Sequence, residues 1–413
     1  MGNWKKGALH THTAWSDAAG LPEIAAYIYR DRLHYDFVCI TDHNIYPDEE
    51  NVSFPIVENP PPMWPPLFDA AEARWSKELL GEKIEVRKLG IRQMIKLKTF
   101  AELQQEWEIP GKFILIGGSE ITGGHYSATE RIEFHCNAIN CPRTIYPVMG
   151  KDQQESFRAI YELYRQTVAE EKCNSIFMVN HPFWRYWDID PQLIIDTPEL
   201  KFMEICNNGI GAEIQADDPV TSPEKYWDYV LAHRLVKGYS IIYGTATDDA
   251  HHYTPETISG FCGCDHGWVM VNCPGEMTTD NLINALNAGN FYSSCGVYLE
   301  NIDFDPTSRT LKVKVAARPG EKYQIRFITT KKDFNRHTPK KHFHHEKAYW
   351  QRDIPMIGED IGACVKAVDG TVAHYTMAPD DLYVRAEVVS DTPTQLEVMF
   401  YPRHIKAWTQ PFI

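Results

Sequence analysis

Residues of the types that bind metal ions recur along the N-terminal part of the chain. The set comprises six histidines and three carboxylates: His10, His12, Asp17, His43, Glu120, His135, His181, Asp249 and His251. Each falls at the carboxyl end of a predicted strand. Because strand residues alternate between the two faces of a sheet, His10 and His12 project to the same side and can hold one ion together. The pattern predicts a polynuclear metal centre.

The elements expected to position these residues alternate between apolar strands and amphipathic helices. We predict strands at 7–12, 37–43, 113–122, 134–140, 175–181, 202–208 and 240–247. We predict helices at 21–32, 153–170, 223–236 and 279–288. This alternation is typical of an α/β fold with a parallel sheet, and seven such units suggest a closed, TIM-like barrel. A barrel of this class places its active site at the carboxyl ends of the strands.

Two segments depart from the barrel pattern and suggest two domains. Residues 45–111 contain a proline-rich loop and a helical run at 70–80, and this stretch is too long for a simple connection. We interpret it as a cap inserted over the mouth of the site. Residues 300–413 show alternating, β-rich patterns that predict a small all-β, sandwich-like domain after a barrel formed by residues 1–299.

The order of the metal-ligand motifs resembles the PHP family, named after polymerase and histidinol phosphatase domains. The match runs from Gly7 to His252 and is closest to the stand-alone hydrolases with an insert and a C-terminal β region. The motifs that carry it are His10-Thr11-His12, Ser16-Asp17, Thr41-Asp42-His43, Gly118-Ser119-Glu120, His135, Asn180-His181-Pro182 and Asp249-Ala250-His251.

This resemblance implies a distorted seven-stranded β/α barrel with three metal ions in a cleft. One ion would be held by His10, His12, Glu120 and Asp249. A second would be held by Glu120, as a bridging ligand, with His135 and His181. The third would be held by Asp17, His43 and His251. Some members of the family have His at the position of Asp17, and a carboxylate there favours manganese, iron or magnesium over zinc.

The chemistry of these ligands indicates a metal-dependent hydrolase. Two to three divalent ions are expected, Zn, Mn or Fe with Mg as a further option, because imidazole nitrogens suit the first three. A bridging carboxylate such as Glu120 can hold two ions roughly 3.5–4 Å apart. We expect a metal-bridging hydroxide to attack a phosphate ester, with Glu120, Asp42 and His251 as catalytic residues. Asp42 is interpreted as orienting an imidazole or shuttling a proton, because its side chain alternates away from that of His43.

Further residues are candidates for substrate binding. Arg131 and Arg185 could clamp phosphate oxygens, since a guanidinium fork matches them, or could form surface ion pairs. His252 points away from its neighbour His251 and could contact substrate or lie on the surface. Asn208 could present its amide to substrate or form a turn.

Other classes of protein fit the same residues less fully. The same centre could hydrolyse a carboxylic ester, carbamate or amide, and an apolar pocket without basic residues would favour that activity. The amidohydrolases also place His-x-His on a first strand, but that alternative gives no role to His43 or to Asp249 and His251 as a pair. A non-enzymatic scaffold would not need the complete ligand set.

Composition limits the partners. The formal net charge of −15 over 413 residues disfavours nucleic-acid binding, which requires a basic surface. We therefore expect a small phosphorylated substrate, and the sequence leaves the oligomeric state open. No apolar stretch approaches the roughly 20 residues of a membrane-spanning helix. The early first strand leaves no room for a signal peptide, so the chain as written is expected to be cytoplasmic, unless Met1-Gly2 replaces a removed leader.

Overall fold

A computed structural model describes residues 3–58, 68–126, 131–183, 189–209, 222–345, 350–396 and 402–413. The strands are β1 (Trp4–Ala8), β2 (Phe37–Ile40), β3 (Ser53–Pro55), β4 (Val86–Leu89), β5 (Arg92–Lys96), β6 (Ile114–Tyr126), β7 (Arg131–Ile139), β8 (Val148–Met149), β9 (Ile176–Val179), β10 (Phe202–Asn207), β11 (Tyr243–Thr247), β12 (Trp268–Asn272), β13 (Phe291–Ser294), β14 (Leu299–Asp305), β15 (Thr310–Val315), β16 (Tyr323–Thr329), β17 (Lys340–His345), β18 (Trp350–Pro355), β19 (Ala363–Asp369), β20 (Val372–Thr376), β21 (Arg385–Pro393) and β22 (His404–Thr409). The helices are α1 (Pro22–Tyr27), α2 (Ala70–Leu80), α3 (Phe100–Trp107), α4 (Gln153–Glu171), α5 (Pro191–Ile195), α6 (Pro223–Val236) and α7 (Thr279–Asn287).

Of the seven helices described, all except α1 begin at a residue whose side chain caps a free backbone N–H group. Thr99 and Glu102 form a reciprocal capping box at the start of α3. The Asp152 side chain caps α4, and Ser222 caps α6 immediately before Pro223 at its first turn. The predicted helix at 223–236 is therefore confirmed to the residue. Among the described helices, none is long and apolar enough to cross a membrane.

The seven predicted strands are all present and lie side by side in one large mixed sheet. Their order is β11-β10-β9-β7-β6-β2-β1, and the sheet continues through β12, β13, β22, β21, β16 and β19. The protein is therefore a mixed α/β structure. On the inner face, Phe37 and Cys39 of β2 share one apolar cluster with Met178 of β9 and Phe202 of β10. Asn137 Nδ2 of β7 donates to the Leu9 carbonyl, just after β1, at 3.3 Å. Because β6 and β2 lie between β7 and β1 in the sheet, this contact requires the sheet to curl.

The expectation of an all-parallel set is wrong for β7. This strand is antiparallel to both of its neighbours, β6 and β9, whereas β1, β2 and β6 are parallel to one another, as are β9, β10 and β11. Only residues 127–130 separate β6 from β7. A parallel pair needs a crossover of a dozen or more residues, so this short connection permits only a hairpin.

The first and last strands of the set meet beyond their carboxyl ends. Thr11 and Ala250 form a parallel bridge, and the His12 backbone N–H donates to the Ala250 carbonyl at 2.9 Å. Within the described residues, β1 and β11 do not pair along their own lengths, and only the segments that follow them form this bridge. A closed barrel therefore stays a prediction.

The insert at 45–111 packs against α1 and the loop that follows β1. The helical run predicted at 70–80 is confirmed as α2, and β3, β5 and β4 form a separate small sheet. The Trp107 carbonyl accepts a hydrogen bond from Arg30 at 2.9 Å, and the Lys98 carbonyl accepts one from Trp15 Nε1 at 2.8 Å. These contacts fix the insert to the segment carrying Asp17. Its role as a cap over the site stays a prediction.

The described part of 300–413 consists of strands and turns without helix. The sheet β14-β15-β20 packs against the continuation of the large sheet, and Val313, Ile325 and Val388 share a single apolar core between them. The region is therefore rich in β-strands, and its identity as a separate sandwich-like domain stays a prediction. However, β22 pairs with β13 on the other side of the predicted boundary at residue 300, so the large sheet runs through both regions.

The buried carboxylate of Glu23 on α1 is expected to make stability depend on pH. The Glu23 side chain is only 1% exposed, and Lys98 Nζ lies 3.9 Å away. Burial raises the pKa of Glu23 from 4.5 to about 7, because Lys98 offsets only part of the desolvation cost. The folded protein then holds this proton more tightly than the unfolded chain. The free energy of unfolding should fall by roughly 3 kcal/mol between about pH 4.5 and pH 7, and this contribution should stay level above that.

Glu23→Gln tests this expectation, because glutamine does not titrate. Chemical denaturation from pH 4.5 to pH 8 should show the variant gaining stability relative to the wild type as pH rises. A difference between the two proteins that does not change with pH would contradict the assignment.

Candidate metal centre

The structure brings all nine predicted metal ligands into one buried cluster. His10 and His12 follow β1, His43 follows β2, His181 follows β9, and Asp249 and His251 follow β11. Asp17 comes from the loop after β1, Glu120 from β6 and His135 from β7. Residues from six strands, or from the loops that follow them, therefore meet at one place, as the sequence predicts.

Glu120 lies at the centre of this cluster, and its carboxylate approaches five imidazoles. Its two oxygens lie 2.9–3.3 Å from ring nitrogens of His10, His12, His43, His135 and His181. The side chain is 1% exposed. A carboxylate surrounded in this way has the position required of a ligand shared between ions.

Two aspartates complete the cluster on either side of Glu120. Asp249 Oδ1 lies 3.3 Å from His10 Nε2 and 3.1 Å from His12 Nε2. Asp17 Oδ1 lies 3.2 Å from His251 Nε2, and Asp17 Oδ2 lies 3.5 Å from His43 Nε2.

Three groups within the cluster have donor atoms close enough to hold an ion. In each group the donor atoms lie within 4.8 Å of one another. The groups are His12, Asp17, His43 and His251; His10, His12 and Asp249; and His43, Glu120 and His135. They are similar to the three-ion division that the resemblance to the PHP family implies, but His12 and His43 each fall in two groups. The allocation of ligands to individual ions stays a prediction.

Glu120 and His135 do not stand at strand ends, and that expectation is wrong for both. Glu120 lies inside β6, which continues to Tyr126, and His135 lies inside β7 opposite Thr122. Both strands of the β6–β7 hairpin continue beyond the cluster, β6 as far as Tyr126 and β7 from Arg131. Alternation along these strands, rather than strand termination, points both side chains into the site.

The electrostatics of the cluster depend on the pairing of imidazoles with carboxylates. Burial alone would raise the pKa of Glu120, but His10, His43 and His135 outweigh it and hold that pKa well below its usual range. Burial alone would lower the pKa of His135, yet Glu120 and Glu133 raise it to about 10. The carboxylates therefore favour protons on imidazoles such as those of His10 and His135, whose pKa values they raise. A bound cation would displace them.

Two ligands have strained backbones. His181 has φ 23° and Asp249 has φ 52°, in the region that residues other than glycine rarely adopt. Such conformations persist only where the surrounding structure enforces them, and they concentrate at functional sites.

Glu204 and Asn180 contact the predicted ligands and are among the residues that the sequence pattern did not identify. Glu204 on β10 is fully buried and lies 2.8 Å from His10 Nδ1. Asn180 Nδ2 donates to Glu120 Oε1 at 2.7 Å. A single carboxylate inside an apolar strand was the available signal for Glu204, because a buried charge requires partners. Asn180 directly precedes the ligand His181.

The carboxylates of Asp42 and Asp248 bind loops rather than ligand imidazoles. Asp42 accepts hydrogen bonds from Thr13 N at 2.7 Å, Thr13 Oγ1 at 2.8 Å and Ser16 Oγ at 2.7 Å. Asp248 accepts from Tyr29 and from the backbone of residues 265–267. These contacts support a role for Asp42 in fastening the loop that carries Asp17. Its catalytic role stays a prediction.

The structure describes the side chains of two of the four predicted substrate-binding residues. Asn208 is buried, and its Nδ2 donates to the carbonyls of Gly260 and Gly263 at 3.2 and 3.3 Å. His252 is half-buried beside His251, and burial lowers its pKa. Arg185 and the side chain of Arg131 lie outside the described residues. Substrate contact by these four residues stays a prediction.

Comparison with known proteins adds little to this geometry. A scan against protein-family models and a search of curated proteins find no match. Among solved structures, an amidohydrolase from Chromobacterium violaceum, with bound sulfate and no metal, is 11% identical, with 59% of this chain and 87% of that chain covered. The TM-score is 0.25, so this likeness carries no argument about fold or activity.

Proposed function

We propose that this protein is a metal-dependent hydrolase whose centre holds two to three divalent ions. The observation that carries the proposal is the convergence of six imidazoles and two aspartates around Glu120. The donors fit such ions. His10 Nε2 and His12 Nε2 face each other at 3.0 Å, and each also lies within 3.3 Å of carboxylate oxygens, an arrangement that a shared cation would satisfy.

The bond hydrolysed is proposed to be a phosphate ester, in keeping with the resemblance to the PHP family. Bound divalent ions would supply Lewis-acid polarisation of the substrate and a water acidic enough to react near neutral pH. His43 and Asp17 contact each other and have the most exposed side chains of the nine predicted ligands, at 22% and 17% of their surface. Substrate would therefore approach from their side, while His10 and Glu120 stay buried beneath.

A carboxylic ester, carbamate or amide is the alternative substrate class. In the described part of the chain, the ion pairs of Asp17, Glu120 and Asp249 are formed with histidines and not with lysine or arginine. A site without basic residues would favour carbonyl chemistry over phosphate binding.

Elemental analysis combined with three assays tests both substrate classes. The purified protein is assayed on a phosphomonoester, a phosphodiester and a carboxylic ester chromogen, with and without added Mn²⁺ or Zn²⁺. Two to three metal ions per chain with phosphate ester turnover would support the proposal. Bound metal with only carboxylic ester turnover would favour the alternative, and the absence of stoichiometric metal would refute the centre.

Removal of metal is expected to lower thermal stability. Since the ligands come from strands distant in sequence, ions bind the folded chain in preference to the unfolded one. At a free metal concentration 100 times the dissociation constant, this linkage contributes about 2.7 kcal/mol per site. Thermal unfolding with and without a chelator measures the effect. An unchanged melting temperature in a protein shown to hold metal would contradict it.

A further inference from the structure

We propose that Glu204 is a positioning residue that fixes His10 in the orientation and tautomer required to bind metal. The inference rests on the proposed metal centre and goes beyond its ligand set. Glu204 is not a candidate ligand, because His10 stands between it and the cluster: His10 Nδ1 faces Glu204 while His10 Nε2 faces Glu120 and Asp249.

The Glu204 carboxylate accepts four hydrogen bonds in a fully buried position. Its Oε1 lies 2.8 Å from His10 Nδ1 and accepts from Thr247 Oγ1 at 2.7 Å. Its Oε2 accepts from the His181 backbone N–H at 2.7 Å and from Asn207 Nδ2 at 2.8 Å. An ionised carboxylate is an acceptor only, so His10 Nδ1 must carry the hydrogen in this contact.

A hydrogen on Nδ1 determines which His10 nitrogen can bind an ion. With Nδ1 as donor, the lone pair of the neutral ring lies on Nε2. His10 Nε2 lies 3.2 Å from Glu120 Oε1 and 3.3 Å from Asp249 Oδ1. A carboxylate that accepts from the outer nitrogen of a ligand histidine fixes the ring and increases its basicity.

The same carboxylate also positions two other ligands. Its bond to the His181 amide holds the residue whose φ is 23°. Asn207, which donates to Glu204, also donates to Asp249 Oδ2 at 3.3 Å. One side chain on β10 thus connects ligands that follow β1, β9 and β11.

Glu204→Gln in the full-length chain tests the proposal by metal affinity rather than by turnover. Glutamine keeps the volume but replaces one acceptor oxygen with an NH₂ group, which would face two donors. Chelator-stripped protein is titrated with Zn²⁺ in competition with a chromophoric chelator. We expect the variant to bind roughly 10- to 100-fold more weakly than the wild type. Glu162→Gln makes the same chemical change on the exposed face of α4 and should bind as the wild type does.

The outcomes separate this inference from the proposed function. Tight Zn²⁺ binding by the wild type with equal binding by Glu204→Gln would overturn the inference and leave the metal centre intact. A wild type that binds no Zn²⁺ would overturn both.

A second measurement needs no variant at Glu204 and distinguishes positioning from a purely structural role. Nitrogen NMR of the Zn²⁺-loaded wild type, labelled at histidine, reports which ring nitrogen carries hydrogen. The His10 signal, assigned by its loss in His10→Ala, is expected to show Nδ1–H and a metal-bound Nε2. A hydrogen on Nε2 of His10 would overturn the proposal. Because this measurement uses the wild type, it stays decisive if the Glu204→Gln variant does not fold.

Discussion

Replacing Glu120 with alanine is expected to abolish hydrolysis and to reduce the number of bound metal ions while leaving the protein folded. The Glu120 carboxylate lies within 3.3 Å of five imidazoles and is the carboxylate that we predict to be shared between ions. Loss of a shared ligand removes several kcal/mol of transition-state stabilisation, which corresponds to a fall in kcat of more than about 10³-fold. The measurements are kcat on the best chromogenic ester and metal content by elemental analysis.

Two further variants make the Glu120 result interpretable. Glu120→Gln keeps the side-chain volume and should lose activity to a similar extent, because an amide cannot replace a bridging carboxylate. Glu162→Ala removes an exposed carboxylate on α4 and should behave as the wild type. Turnover within about tenfold of the wild type in Glu120→Ala would contradict the two-metal mechanism.

Asp228→Ala is expected to destabilise the protein by about 3–5 kcal/mol, the largest stability effect we predict. Asp228 on α6 accepts from Arg385 Nε at 2.8 Å and Nη2 at 2.6 Å, and from the Tyr383 hydroxyl at 2.7 Å. Asp228 and Arg385 side chains are both 2% exposed. Removing the carboxylate leaves a buried guanidinium without its counter-charge, and such losses cost about 3–5 kcal/mol. Denaturant unfolding measures the change.

An exposed ion pair provides the matched control for Asp228. Asp196 and Lys237 lie 2.6 Å apart but are 42% and 38% exposed, so Asp196→Ala should cost less than about 1 kcal/mol. Equal losses in the two variants would show that the buried pair between α6 and β21 adds no more stability than an exposed one.

The sequence by itself determined much of the local structure and identified nine side chains that the fold brings together. Caps such as Ser222 before Pro223 specify helix starts through nearby backbone groups, and the helix at 223–236 follows the prediction. Alternating strand geometry identified His10 and His12 as a pair on one face. These features depend on residues close together in the chain, so a local pattern is sufficient to predict them.

The tertiary structure alone decided features that depend on partners distant in sequence. The antiparallel direction of β7, the pairing of β22 with β13 and the position of Glu204 beneath His10 have no local signature beyond a short connection or a lone buried carboxylate. Strand pairing and buried hydrogen bonds are chosen among many alternatives by the packing of the whole sheet. For this reason the candidate ligands could be named from the sequence, whereas the residues that contact them from behind could be found only in the folded chain.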